Sequence, residues 1–113
     1  MGTLRTRAPQ LLPGTLEMLI LKTLTHGPQH GYGIAQHIGQ TTEAVLKVEE
    51  GSLYPALQRL LVEDWVTAEW STSPTGRRAR IYRLTDTGRK QLGLEARRFD
   101  TTVAAIARVM RTA

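Results

Sequence analysis

The sequence predicts a mainly α-helical protein that carries one small β-hairpin. Apolar residues recur at helical spacing in three stretches of the first 62 residues and in one after residue 85. Between them, Val66, Ala68 and Trp70 alternate with polar residues, turn residues follow at 73–76, and Tyr82 and Leu84 restore an apolar face. Three helices, a hairpin and a last helix form the order of a winged helix-turn-helix.

The stretch of residues 49–60, with a third helix expected to begin at Ser52, is the element around which the others are arranged. Its leucines fall on one face, Ser52 is the expected N-cap, and Pro55 lies where a first turn tolerates a missing N–H. The opposite face carries hydrogen-bonding and basic groups that could read base edges, although a plain solvent-exposed face is the alternative. The candidate base-reading residues are Ser52, Tyr54, Pro55, Gln58 and Arg59.

Two shorter stretches precede this helix. Residues 30–38 are predicted to form a second helix that turns Ile34 and Ile38 inward. The connection at residues 41–48 is expected to end in a short extended piece around Leu46 and Val48.

The apolar patterns of the first and last predicted helices favour a homodimer. Thr15 is expected to cap a first helix that ends near residues 26–28 and is apolar on two sides. Thr85 is the expected cap of the last helix, with Asp86 in its first turn, and this helix carries a heptad seam. A seam that packs only on its own domain is the alternative. The predicted dimer residues are Met18, Leu21, Leu92, Ala96, Phe99, Val103, Ile106 and Met110.

The charge distribution favours a polyanionic partner. The formal net charge is +5, and residues 77–98 hold eight basic residues against two acidic ones. Arg77, Arg78 and Arg80 lie at the tip of the predicted hairpin, where guanidinium groups would bind DNA backbone phosphates. A charged hairpin tip that only increases solubility is the alternative.

Composition argues against several other classes of protein. The 113 residues contain no cysteine, and no apolar run approaches the roughly 18 residues of a membrane span. No signal-peptide pattern is present, so a cytoplasmic location is expected. His26, His30 and His37 lack partners at catalytic or metal-ligand spacing, so we expect neither an enzyme nor a cofactor or metal site.

The predicted domain organisation has three parts. Residues 1–10 are interpreted as a flexible N-terminal arm, residues 11–84 as the winged helix-turn-helix, and residues 85–113 as the dimerisation helix.

Four side chains near these elements have open roles. Glu49 and Glu50 precede the third helix and are expected either to point away from DNA or to accept a hydrogen bond from a cytosine amino group. Trp65 and Trp70 are expected in the core, with stacking on an aromatic ligand at a dimer cavity as the alternative.

The assembled motifs resemble the PadR family of bacterial transcriptional regulators. The resemblance rests on residues 12–16 (Leu-Pro-Gly-Thr-Leu), 30–34 (His-Gly-Tyr-Gly-Ile), 51–60 (Gly-Ser-Leu-Tyr-Pro-Ala-Leu-Gln-Arg-Leu) and 77–85 (Arg-Arg-Ala-Arg-Ile-Tyr-Arg-Leu-Thr) with Gly88. Two positions depart from the family pattern. Gly33 replaces a frequent acidic residue, and Asp64-Trp65 replaces a glycine-containing turn.

The resemblance implies a winged-helix dimer that binds a pseudo-palindromic operator and usually represses transcription. It places Tyr54 and Pro55 in the major groove and Arg77, Arg78 and Arg80 on phosphates. The single terminal helix is similar to that of the family's short subgroup, and small aromatic or cationic compounds are the implied effectors. An effector would act by tilting the terminal helices and changing the spacing of the two reading helices. A winged-helix module that binds protein instead of DNA is the competing interpretation.

Overall fold

The predicted mainly α architecture with a wing is confirmed. The structure, a computed structural model, describes residues 11, 14–72 and 74–113, so the predicted arm at residues 1–10 lies outside the described residues. The elements are α1 (Thr15–Leu24), β1 (Gln29–His30), α2 (Gly31–Thr41), α3 (Glu50–Val62), β2 (Val66–Thr72), β3 (Arg78–Leu84) and α4 (Asp86–Met110).

One hydrophobic core joins the first three helices to the base of the wing. Each of the three helices contributes the apolar side chains of one face, and the sheet adds one residue from each hairpin strand. Burying each large aliphatic side chain contributes about 1.5–3 kcal/mol, which fixes the position of α3. The core residues are Leu16, Ile20, Leu21, Leu24, Ile34, Ile38, Leu53, Ala56, Leu57, Leu60, Val66 and Tyr82.

Leu21 was expected on a dimer surface, and its position corrects that prediction. Its side chain is 0% exposed within a single chain. It therefore has no surface left to bury against a second subunit. Met18, its predicted companion on α1, is half-buried.

The wing belongs to a three-stranded antiparallel sheet in the order β1-β3-β2. The hairpin is confirmed, with Val66 opposite Leu84 and Thr72 opposite Arg78. Strand β1 was not predicted, because a two-residue bridge is too short to show alternation in a sequence.

The piece around Leu46 and Val48, expected to be extended, does not form a β-strand. A turn follows α2, in which Glu43 and Ala44 adopt positive φ angles of 51° and 64°. The Ala44 N–H donates to the Gly39 carbonyl over 2.7 Å, which closes the end of α2. Leu46 and Val48 nevertheless pack against the core as half-buried residues.

Two of the three predicted caps are wrong. Gly14, with φ of 85°, is the N-cap of α1, and Thr15 is already helical. Glu49 is the N-cap of α3, because its carbonyl accepts from Ser52 N–H at 3.0 Å and from Leu53 N–H at 2.9 Å. Helix α3 therefore starts before Ser52, and Pro55 lies inside it rather than in its first turn.

Thr85 is confirmed as the cap of α4. Its hydroxyl accepts from Gly88 N–H at 2.9 Å and donates to the Asp64 carbonyl at 2.7 Å. The Thr85 N–H donates to the Trp65 carbonyl at 3.1 Å. These contacts tie the start of α4 to the turn that ends α3.

Among the described residues, no helix is long and apolar enough to cross a membrane.

Asp64 lies in the turn where the sequence comparison of the motifs leads one to expect a glycine, and it adopts a backbone conformation that glycine favours. Its φ is 59°, in the left-handed region. Its N–H donates to the Leu61 carbonyl at 3.1 Å, and Trp65 N–H donates to the Leu60 carbonyl at 3.0 Å. This pair of bonds is a Schellman motif, in which the left-handed residue is usually glycine.

Replacing Asp64 by glycine is expected to raise the free energy of unfolding by about 0.5–1 kcal/mol, because glycine adopts a positive φ without a Cβ penalty. Urea denaturation measures the change. Asp64→Ala is the control and should lower stability, since alanine tolerates this region less well than aspartate. Equal stabilities for the glycine and alanine variants would contradict the assignment.

Gly88→Ala is expected to destabilise the fold by about 1–3 kcal/mol, because the added methyl group overlaps backbone that cannot yield. A Cβ at this position would overlap the Trp65 carbonyl oxygen and lie 2.8 Å from the Trp65 carbonyl carbon. The same change at Gly93 in α4 is the matched control, since its Cβ would lie 3.9 Å from the Arg97 side chain. Gly93→Ala should be neutral or stabilising. Thermal unfolding of both variants tests the contact.

Candidate nucleic-acid interface

The exposed side of α3 carries the residues that were predicted to read bases. Burial of Leu53, Leu57 and Leu60 fixes the rotation of the helix, because only one rotation places these side chains in the core. Ser52, Tyr54, Pro55, Gln58 and Arg59 then face outward as exposed residues. They do not form one continuous site. Tyr54 and Gln58 lie beside the wing, whereas Arg59 pairs with α1.

Tyr54 and Gln58 lie beside the wing. A groove of about 400 Å³ separates α3 from the wing, and Arg78 and Arg80 line its other side. The structure therefore brings together four of the eight predicted DNA-binding residues around one groove. Also on its walls are His30, Gly31, Tyr32, Trp70, Ala79 and Tyr82.

A close approach between α2 and α3 holds the ring of Tyr54 in place. A Cβ on Gly31 would lie 3.1 Å from Tyr54 Cε1 and 3.2 Å from its hydroxyl oxygen. Only the absence of a side chain at Gly31 allows the ring to lie there without displacement. The ring is thereby fixed at the mouth of the groove, with Tyr54 still 46% exposed.

Arg59 has a different environment from the one predicted. Its Nε donates to Glu17 Oε1 on α1 at 2.7 Å, and its terminal Nη2 contacts the same oxygen. Glu17 is largely covered, whereas Arg59 is mainly exposed. Arg59 thus binds α1 at the edge of the exposed face, and this ion pair must open before Arg59 can reach a base.

The wing arginines differ between the two faces of the hairpin. Arg83 forms an ion pair with Glu69, with both Nε and Nη2 about 3.0–3.1 Å from Glu69 Oε1. Arg78 and Arg80 lie on the other face, since their cross-strand partners are Thr72 and Trp70. This second face is turned toward α3. The arginines of β3 therefore differ in their availability to a ligand. Arg83 is paired with an acid, whereas Arg78 and Arg80 line the groove.

Trp70 was expected in the core, and this expectation is wrong. The residue is 61% exposed, whereas Trp65 packs against the core as expected. The Arg78 guanidinium carbon lies 5.0 Å from the centroid of the Trp70 ring, and that of Arg80 lies 5.8 Å away. Both distances are within the range of cation–π contacts.

Tyr82 closes the base of the groove beneath Arg80, whose guanidinium carbon lies 5.9 Å from the Tyr82 ring centroid. Burial raises the pKa of the Tyr82 hydroxyl, and the positive charge of Arg80 acts in the opposite direction. The hydroxyl consequently stays protonated at neutral pH.

A second polar surface was missed from the sequence. Tyr32, Gln36 and Gln40 of α2 face outward at a spacing of four residues, and they line a groove of about 700 Å³ with Arg77 and Arg78. The four-residue spacing opposite Ile34 and Ile38 was the signal that could have found them. The basic tip of the wing thus adjoins α2 as well as α3.

Glu49 and Glu50 lie on a separate groove between α2 and α3. Both are exposed, and that groove of about 500 Å³ is lined by Lys47, Val48 and Tyr54 among others. Arg77, Arg78 and Arg80 do not line it. The two acidic side chains therefore lie at a groove that these three wing arginines do not line.

Helix α4 leaves most of its predicted seam uncovered. Leu92 packs against the core, but the seam residues beyond it become progressively exposed. Phe99 is 39% exposed, Ile106 50% and Met110 77%. The far end of α4 is an unpartnered apolar stripe in the single chain.

The histidines do not form a metal site in the part of the chain that the structure describes, where no group of three potential ligands occurs. His26 and His37 pack as a tilted pair with ring centroids 5.5 Å apart.

Comparisons with known proteins agree with this geometry. A model of the transcriptional regulator PadR-like family matches residues 20–94. A transcriptional regulator from Clostridium thermocellum is 25% identical, with a TM-score of 0.78 over 84% of this chain and 92% of that one. A PadR-like transcription factor from Bacteroides fragilis is 32% identical, with a TM-score of 0.68 over 85% and 90% of the two chains.

A third similar structure, Bacillus subtilis PadR, was solved in complex with operator DNA. It is 26% identical, with a TM-score of 0.63 over 70% of this chain and 46% of that protein. The matched segment of the family model includes α2, α3 and the whole wing, together with the junction that joins them to α4. The chain belongs to the PadR-like family of transcriptional regulators, whose members are regulators and not enzymes.

Proposed function

We propose that this chain is a homodimeric transcriptional repressor that binds a pseudo-palindromic DNA operator. The observation that carries the proposal is the shared groove at which Tyr54 and Gln58 of α3 meet Arg78 and Arg80 of the wing. The operator complex of Bacillus subtilis PadR supports the choice of DNA as the partner. Residues 11–84 would form the DNA-binding unit and residues 85–113 the dimerisation helix.

The two sides of the groove contribute differently to DNA binding: the wing supplies phosphate contacts and α3 supplies base contacts. The guanidinium groups of Arg78 and Arg80, with Arg77 at the tip, neutralise phosphates and supply affinity that falls with salt. Helix α3 enters the major groove, where Gln58 can donate to and accept from an adenine and Tyr54 can contact a base edge or a phosphate. Ser52 and Pro55 lie at the exposed start of the same helix.

Arg59 would join the readout only after release from Glu17. The Arg59 side chain is mainly exposed in this pair, so DNA phosphates or a guanine can reach its guanidinium and compete with Glu17 for it. Glu49 and Glu50 line a groove that the wing arginines do not, which supports a placement that leaves the phosphate contacts of the wing unopposed.

The apolar stripe on α4 supplies the dimer contact. Ala96, Phe99, Val103, Ile106 and Met110 follow the alternating spacing of a coiled-coil seam. A second α4 would cover the stripe and remove it from water. Two α3 helices related by a twofold axis then address half-sites about 34 Å apart.

Release of the operator would follow a change in the dimer. The seam continues from the core into the free end of α4, so a small aromatic or cationic effector that tilts α4 would alter the spacing of the two α3 helices. This step is supported by the attachment of α4 to the end of α3 through Thr85.

Arg78→Ala is expected to weaken operator binding about tenfold, since a charge-assisted phosphate contact is lost. The slope of log affinity against log salt concentration should become shallower by roughly one. Fluorescence anisotropy with an operator selected from fragmented chromosomal DNA measures both quantities.

Arg83→Ala is the matched control for this experiment. It removes an equal charge from the same strand, but from the side chain that pairs with Glu69. The control should leave the affinity and its salt slope close to those of the unaltered protein. Equal effects of the two substitutions would contradict a groove-facing phosphate site, and no DNA selection by the unaltered protein would favour a protein-binding module.

Val103→Asp is expected to convert the dimer into a monomer, because the seam would have to bury an unpaired carboxylate. Operator affinity should fall at least tenfold, since a monomer contacts only one half-site. Sedimentation velocity gives the oligomeric state, and anisotropy gives the affinity. Ala105→Asp, an exposed position off the seam of the same helix, is the control and should leave the dimer intact. Dimers in both variants would contradict the seam.

A further inference from the structure

We propose that Trp70 is the positioning residue of the wing, whose indole holds Arg78 and Arg80 toward the groove where they meet DNA phosphates. This inference rests on the proposed DNA-binding function. It assigns a role to a residue that burial does not explain, because Trp70 is 61% exposed on a strand that pairs with β3.

The sheet register creates the arrangement. Trp70 lies directly opposite Arg80, and Arg78 is opposite Thr72, the next residue of β2 on the same face. Cross-strand neighbours on one face lie close enough for long side chains to touch. The indole is consequently flanked by two guanidinium groups, with distances of 5.0 Å to Arg78 and 5.8 Å to Arg80.

A free arginine side chain samples many rotamers and must lose that freedom when it binds a phosphate. Contact with a ring restricts this motion before DNA arrives. Arg80 is held most firmly, because it lies within 6 Å of both the Trp70 and the Tyr82 rings. The indole thus prepares the two cations for binding without contacting DNA through hydrogen bonds of its own.

Two buried polar atoms indicate where the missing acceptor would lie. Arg80 Nε and His30 Nε2 are shielded from solvent and have no hydrogen-bond partner among the described residues. Both residues line the groove between α3 and the wing. Buried polar atoms are rarely left without a partner. Because both atoms are shielded from solvent, a phosphate oxygen in this groove would bond to Arg80 Nε and, in the tautomer with the proton on Nε2, to His30 only after these side chains shift.

Among the described residues, no acidic side chain pairs with Arg78 or Arg80, so their positive charges are available to DNA phosphates. Among the described residues, the wing's ion pair is formed by Arg83 with Glu69 on the opposite face, and neither Arg78 nor Arg80 takes part in a salt bridge. The aromatic rings orient these two cations but leave their charge available.

A double-mutant cycle tests the inference on the full-length protein. Trp70→Ala is expected to weaken operator binding about tenfold, because two arginine side chains must then be ordered when DNA binds. In a background that already carries Arg78→Ala and Arg80→Ala, the same substitution should have no further effect. Anisotropy titrations with the selected operator give all four affinities.

Two further variants separate positioning from a structural role. Trp70→Phe keeps an aromatic face and should recover most of the affinity. Thr67→Ala, an exposed position on the opposite face of β2, should bind as the unaltered protein does. Thermal unfolding and sedimentation should show that Trp70→Ala remains folded and dimeric at the temperature of the titrations.

Three results would overturn the inference. An undiminished effect of Trp70→Ala in the arginine-free background would mean that the indole contacts DNA itself. Loss of affinity that comes with unfolding or loss of the dimer at the temperature of the titrations would mean a structural role, and unaltered affinity of Trp70→Ala would mean no role. In each of these cases the unaltered protein still selects its operator. If it selects no DNA at all, the proposed function fails, and the inference fails with it.

Discussion

The position of the start of α4 relative to α3 and the wing depends on one small junction. The turn that ends α3 is closed by the bond from Trp65 N–H to the Leu60 carbonyl, and the Trp65 carbonyl accepts from Thr85 at the start of α4. The Thr85 hydroxyl also donates to the Asp64 carbonyl. Since Gly88 lies directly against the Trp65 backbone, the first turn of α4 approaches the turn after α3 more closely than any side chain would allow.

This junction couples the two parts of the proposed function. The unit proposed to bind DNA and the apolar stripe proposed to bind a second subunit are joined through it by short hydrogen bonds rather than by a flexible linker. A rotation of α4 would therefore be transmitted to α3, because close-packed contacts of this kind deform little. A small change in the dimer could in this way alter the distance between two reading helices.

The wing combines two kinds of electrostatic contact on its two faces. The Arg83–Glu69 pair is exposed, so it has little effect on stability. The carboxylate of Glu69 neutralises the positive charge of Arg83. On the other face, aromatic rings hold Arg78 and Arg80 without neutralising them. The strand register produces this division, because alternate residues of β3 point to opposite faces.

Periodicity in the sequence determined the helices, the hairpin and the cap at Thr85, since these depend on residues that are near neighbours in the chain. It did not determine β1, whose two residues pair with a strand some fifty positions away, or the start of α3, where backbone hydrogen bonds to Glu49 override the capping preference of Ser52. Only the tertiary structure decided that Leu21 is core, that Arg59 pairs with Glu17, and that Trp70 lies outside among arginines. The physical reason is that a side chain's burial and partners depend on which elements pack beside it, and local spacing contains no information about residues brought together from distant parts of the chain.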